Sequence, residues 1–231
     1  MKLSTDRILT THVGSLPRGP AVVDRLMRKE RGESYDRADF DSTMRDAVDA
    51  HVQRQVATGI DVVSDGETSK ISYATYIKDR LSGFGGDSER QIALDLKAFP
   101  EFRTRMAVFA GKQTFKRESC IGPIAVIERE SLAADLRNLR AAAQKHSPHD
   151  VFMNAASPGV VSAFQPNKYY PTHEAYVEAI AAAMRRSTRP SSTPDSSCRL
   201  TVRIWRWRGT PGSRICPKPS SSSVPNIRSR L

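Results

Sequence analysis

Long apolar runs are missing from this chain. None of its segments approaches the ~18 residues that a membrane-spanning helix needs. Cysteine is scarce. Cys120, Cys198 and Cys216 are the three present, an odd number with no CxxC pair, so neither a disulfide framework nor a zinc ribbon is indicated. The opening residues, MKLSTDRILTTHVGS, lack the apolar stretch of a secretory signal. The expectation is a cytoplasmic, reducing setting. Acids are missing from one region only. From Met1 to Met184 there are 25 Lys+Arg against 24 Asp+Glu. From Arg185 onward, 10 Arg and 1 Lys face the single acid Asp195. The net charge of +11 therefore belongs almost wholly to the final stretch and does not describe a polyanion-binding fold.

That stretch lacks more than acids. Residues 187–231 contain no Ala, Glu, Gln, Phe, Tyr, Met or His, yet hold eleven serines, six prolines and both tryptophans. Ordinary polar tails lose large apolar residues; they do not lose alanine and glutamate while keeping Trp and Cys. GC-rich DNA read out of frame encodes this mixture. One consistent codon assignment, re-read from the last base of the Arg186 codon, gives VDEAIVDAGFVLQIDCPDLAM and onward. It restores a helix ending in Gly, an apolar strand FVLQID and a normal charge balance. The expectation is a native segment 1–186 followed by an unstructured, out-of-frame basic tail, 187–231.

Upstream, patterning is regular. DRILTTHVGSLPRGP reads as a short strand leaving into a Gly/Pro loop. AVVDRLMRKERG is a helix stopped by Gly32. DRADFDSTMRDAVDAHVQRQVATG is a longer helix, capped by Asp39 or Asp41, with Met44, Val48, Val52 and Val56 on one face. IDVVSDGE is a β-branched strand entering a polar turn, which completes a βα unit. SYATYIKDRLSGFGG reads as a helix, and TRMAVFAGKQTFKRESC as a hairpin turning near Gly111 and Lys112. A helix follows GPIAVIE, with Leu132, Leu136 and Leu139 on one face. DVFMNAASPG is another strand with a polar exit. THEAYVEAIAAAMR is a helix that Thr172 can cap, with Ala175, Val177, Ile180 and Met184 as its apolar positions.

Five segments in order, THVGSLPR, GIDVVSDGE, GPIAV…ADLRNLRAA, FMNAASPG and EAYVEAIAAAMR, resemble the cobalamin-independent methionine synthase family. The likeness is to its short form, the C-terminal catalytic barrel. It spans roughly Ile8 to Met184. The resemblance implies an α/β fold, a partial (β/α)8 TIM barrel comprising its first half, with functional loops at the C-terminal ends of the strands. It implies zinc-dependent methyl transfer from a methyl-folate donor to the thiol of homocysteine. Zinc would lower the thiol pKa, and the departing folate nitrogen needs a proton. Relatives in the group alkylate other thiols, such as coenzyme M.

Three strand exits carry the candidate site. In THVGSLPR, Gly14 allows close approach of a ligand to the backbone, and the Ser15 hydroxyl can donate a hydrogen bond. By resemblance, Val13, Gly14 and Ser15 hold the amino-acid end of homocysteine; His12 is near enough to serve as acid or donor, or is structural. In SDGE, Asp65 and Glu67 are two apart and point the same way if strand geometry persists. By resemblance, Glu67 takes the substrate amino group. In NAASPG, Asn154 and Ser157 are placed to contact the methyl donor, or else simply start a helix. Taken without the resemblance, plain polar turns fit all three. His146 and His149 precede a strand, so they fall at the opposite end. The family's zinc ligands, a His-x-Cys pair, a glutamate and a distant cysteine, have no counterpart here, so zinc is not expected to bind tightly. The expected partners are small molecules, a thiol and a reduced folate. A nucleic-acid role for RIWRWR and a decarboxylase of the porphyrin pathway on a related barrel are the competing functions.

Overall fold

The computed structural model describes residues 4–72, 76–86, 88, 94–109, 118–188 and 199–201. The chain divides into two compact units. The first comprises Met1–Arg90 with Thr114–Trp205, and the second Gln91–Gln113 with Arg206–Leu231.

The first unit is a βα succession. Helix α1 (Pro20–Glu30) begins with proline at its first turn, where a missing N–H costs nothing. Helix α2 (Arg37–Ala57) is capped by Asp36, whose carboxylate accepts from the amides of Ala38 and Asp39. The two aspartates expected as caps are both inside the helix. Asp39 pairs with Arg25, and Asp41 with Arg37 one turn away. Strand β1 (Val62–Ser64) follows Gly59, whose φ of +81° suits a helix stop.

The stretch after β1 departs from expectation. Residues 73–75 lie outside the described residues, and Tyr76–Asp79 makes one 3-10 turn instead of a helix. Strand β2 (Phe84–Gly85) comes next and pairs antiparallel with β3 (Ser119–Cys120). Gly83 explains the break. Its φ is +88°, and a Cβ there would lie 2.6 Å from the Gly122 carbonyl oxygen. Helix α5 (Glu130–His146), strand β4 (Asp150–Asn154), helix α6 (Pro158–Phe164) and helix α7 (His173–Thr188) complete the run, with Thr172 accepting from the Ala175 amide at the start of α7.

The expected hairpin is also corrected. Thr104–Phe109 belongs to a helix, α4 (Pro100–Phe109), in the second unit, where it follows the short α3 (Leu94–Lys97). Pro100 at its start and Glu101 in its first turn are helix-initiating choices that outweigh the β-branched content. Gly111 and Lys112 lie outside the described residues.

Strands β1 and β4 pair parallel, with Val63 opposite Val151 and Ser64 opposite Phe152. On the far side of β1, Thr11 makes a single parallel bridge to Val62. The strand expected there is thus reduced to one pairing, and Asp61 fastens it. Arg7 grips the Asp61 carboxylate and holds its pKa well below the usual carboxylate range, and the Thr10 amide donates to it at 2.8 Å. On the far side of β4 lies a parallel strand β5, Arg199–Thr201, inside the segment expected to be unstructured. The other residues beyond Thr188 lie outside the described ones.

Helices α2 and α5 cover one face of the sheet. Val48 and Val52 of α2, Leu132 and Leu139 of α5, Val63 of β1, and Val151 and Met153 of β4 form one buried cluster. Each fully buried side chain of this size contributes roughly 1.5–3 kcal/mol. A second cluster centres on α7, where Tyr176, Ile180, Ala183 and Met184 pack with Val161, Ile77 and Leu81. Tyr176 takes the buried place that the expected pattern gave to Ala175 and Val177, and its hydroxyl donates to the Gln165 carbonyl at 2.7 Å. This architecture is a partial (β/α) barrel: parallel strands, helices on the outer face and polar loops at the strand exits. Among the described residues, no helix is long and apolar enough to cross a membrane.

Candidate functional site

The site begins at the end of β1. Gln55 of α2 is 3% exposed and holds the strand end by both of its amide atoms. Its Nε2 donates to the Ser64 carbonyl at 2.9 Å, and its Oε1 accepts from the Ser64 amide at 3.1 Å. The chain then reverses through two left-handed residues, Gly66 at φ +63° and Glu67 at φ +54°. A Cβ on Gly66 would sit 3.0 Å from both His51 Nδ1 and Leu16 Cδ1. Glu67 has no such freedom; a non-glycine residue held there costs of order 1–3 kcal/mol.

Other groups hold the turn in place. Arg18, from the loop after Thr11, donates to the carbonyls of Glu67 at 2.7 Å, Thr68 at 3.2 Å and Lys70 at 2.6 Å. The Leu16 amide donates to the Gly66 carbonyl at 3.0 Å. His51 of α2 contacts Thr68 Oγ1 at 2.7 Å and the Pro17 carbonyl at 3.2 Å. The first and second strand exits are thereby fastened to each other.

The left-handed pair sends the two carboxylates of SDGE to different partners, so Asp65 and Glu67 do not point the same way. Strand geometry ends at Ser64. Asp65 turns to Lys70, whose Nζ lies 2.5 Å from Oδ2 in an ion pair with side chains 3% and 2% exposed. Burial pulls the Lys70 pKa down, Asp65 and Asp135 push it up, and the net direction is up. Asp135 of α5 accepts from Ser69 Oγ and Tyr76 Oη, and burial raises its pKa. Glu67 instead accepts from Ser15 Oγ at 2.6 Å and from Asn154 Nδ2 at 3.0 Å. Three strand exits thus meet at one carboxylate, 4% exposed.

The remaining expected residues divide. Gly14 has φ +113° with open space where a Cβ would lie, and Val13 is exposed. The Nε2 of His12 is buried without a hydrogen-bond partner, as is Oδ1 of Asn154. Ser157 is buried, and its hydroxyl accepts from the Val160 amide as the cap of α6. The helix-start reading therefore accounts for it. His146 pairs with Asp49 at 2.9 Å before β4, at the end of the sheet opposite Asn154.

Sequence reasoning passed over Arg18, His51, Gln55, Lys70 and Asp135. His51 and Gln55 carried a signal: they are one turn apart on α2, beside the apolar face of Val48 and Val52. Among the described residues, no three His, Cys, Asp or Glu side chains converge as a metal site. Cys120 is buried in β3, where burial pushes its thiol pKa up, the reverse of what a zinc ligand needs. The described residues do not fit the zinc that the resemblance implies.

Burial lowers the His51 pKa, with Arg18 and Arg54 acting in the same direction and the Pro17 contact and Asp65 opposing. A base whose folded pKa lies below its unfolded value of ~6.5 withholds a proton that the unfolded chain accepts. Stability is then complete above the unfolded pKa and falls as pH drops through it. Urea midpoints are expected to decline from pH 7 to pH 5, and His51→Gln to flatten that decline. Parallel profiles for the two proteins would show that other groups cause it.

The parallel strands and their exits, joined at Glu67, define a barrel-type α/β fold. The family described as cobalamin-independent synthase, catalytic domain, matches residues 8–98, which include two of the three exits. Over that segment the chain is similar to this family. Solved structures agree on the fold. A B12-independent methionine synthase from Shewanella sp. W3-18-1, in complex with selenomethionine, superposes with a TM-score of 0.52 at 18% identity. The alignment covers 77% of this chain and 46% of that one. A putative vitamin-B12-independent methionine synthase from Listeria monocytogenes gives 0.52 at 16% identity, covering 78% and 48%. The chain therefore spans about half the length of these relatives. No curated protein matches it.

Proposed function

We propose that the strand-exit junction binds the amino-acid end of a thiol substrate, homocysteine, for S-methylation by a methyl-folate donor. The convergence on Glu67 carries this reading. A buried carboxylate already oriented by a hydroxyl and an amide is an acceptor for an ammonium group. Gly14, left-handed and open on its side-chain face, leaves the backbone of Val13–Ser15 accessible to the carboxylate of the same substrate. Arg18 and His51 keep the two loops in register, so the two subsites hold a fixed separation. Such positioning is where a binding site of this kind gains most. Zinc supplies thiol activation in the family; the described residues of this chain supply orientation.

The test is titration of the chain with L-homocysteine, followed by NMR or calorimetry. Glu67→Gln keeps the size of the side chain and removes its charge. Its affinity is expected to fall roughly tenfold to a hundredfold, the range for a charge-assisted hydrogen bond. Equal binding by both proteins, with unchanged circular dichroism, would remove Glu67 from the site.

A further inference from the structure

We propose that Asn154 is a specificity-determining residue whose Oδ1 accepts a hydrogen bond from the substrate ammonium, so that the site selects amino thiols over thiols lacking an amino group. This rests on the homocysteine reading and goes beyond it, because that reading gives the ammonium to Glu67 alone and names no residue that rejects thiols without an amino group, such as coenzyme M.

The argument starts from the orientation of one amide. A carboxylate only accepts, so the Asn154 atom 3.0 Å from Glu67 Oε1 is its NH2 group. Oδ1 is then fixed as the other atom of the amide, and it is buried without a donor. A buried acceptor left unpaired costs about 1–3 kcal/mol, so a ligand that supplies an N–H is favoured there. Glu67 lies beside it and still has acceptor capacity, since each oxygen takes one bond, from Ser15 and from Asn154.

Neighbouring cations are otherwise engaged. Arg18 gives its N–H groups to three backbone carbonyls, and Lys70 gives its ammonium to Asp65. The groups aimed at the junction by Glu67 and Asn154 are therefore both acceptors, one of them charged. An ammonium with three N–H donors fits this pair; a sulfonate offers only more acceptors beside a carboxylate. Sites built around a polar group discriminate strongly against analogues that lack it, because the protein groups are left unpaired.

The experiment measures affinities of the 231-residue chain for three thiols: L-homocysteine, 4-mercaptobutyrate, which lacks only the amino group, and 2-mercaptoethanesulfonate. Homocysteine is expected to bind at least roughly tenfold more tightly than 4-mercaptobutyrate, with the sulfonate weakest. Asn154→Leu should cut that preference severalfold and leave affinity for 4-mercaptobutyrate within about twofold. Equal affinity of the native chain for homocysteine and 4-mercaptobutyrate overturns the role of Asn154 without a variant being needed. Preference for the sulfonate overturns it as well. Binding of none of the three overturns the functional reading itself, and this role with it.

Discussion

Lys70→Met is expected to lower stability by about 3–5 kcal/mol, the cost of leaving a buried carboxylate without its cation. The pair is almost fully enclosed, with side chains 3% and 2% exposed and a 2.5 Å contact. Removing the ammonium strands Asp65, which cannot reach water and is tied through Oδ1 to the Glu67 amide. Asp135 would lose the nearby positive charge that opposes the rise in its pKa. Against a typical total of 5–15 kcal/mol, such a loss brings the fold close to its limit. The double variant Lys70→Met/Asp65→Asn should recover much of it, because a neutral amide can still accept from the Glu67 amide and position 65 no longer carries an unpaired buried charge. Urea denaturation of both single variants and the double gives the coupling, expected at ~2 kcal/mol or more. Single losses below ~1 kcal/mol that simply add would show that water reaches the pair and that the turn is held by Arg18 and Gln55 alone.

The helices α1, α2, α5 and α7 were legible because their apolar residues recur at helical spacing and glycines or caps end them. Strands β1 and β4 were legible as short β-branched or apolar runs ahead of polar turns. Besides the first strand, reduced to the single Thr11–Val62 pairing, the departures lay between residues 72 and 120. There the chain follows local sterics, such as the Gly83 contact with Gly122, and proline placement at α4, instead of a repeating pattern. At the site, motif reading located the right loops but not the partners. A two-residue spacing places Asp65 and Glu67 together only while the chain remains extended, and the left-handed backbone at Gly66 and Glu67 separates them. The convergence of Ser15 and Asn154 on Glu67 spans 52 and 87 residues of chain, which no local pattern encodes. His51 and Arg18 were passed over because their role depends on which loop lies opposite. Only the packing of α2 and the first exit against the turn supplies that.

The other large effect concerns the tail, which we propose to be out of frame. In the re-read sequence the apolar strand FVLQID falls on positions 196–201, and the structure places a strand, Arg199–Thr201, parallel to β4 at that point. In the given chain, the open edge of β4 pairs with this extended segment. Backbone pairing does not bring side-chain chemistry with it. The aspartate of the re-read QIDCPD is lost, and the described residues hold no donor set for zinc, which generally needs three protein ligands in a catalytic site. The 231-residue chain is expected to purify with well under one zinc per chain and to make no detectable methionine from homocysteine. A frame-restored protein, carrying its downstream sequence, should gain about one zinc per chain and methyl transfer together, because one set of ligands serves both. Metal analysis and a methyl-transfer assay on the two proteins side by side decide it. Stoichiometric zinc with turnover in the 231-residue chain would place the metal site within this sequence and overturn the frame proposal. Zinc without turnover in the restored protein, together with tight homocysteine binding, would shift the assignment to a different methyl donor.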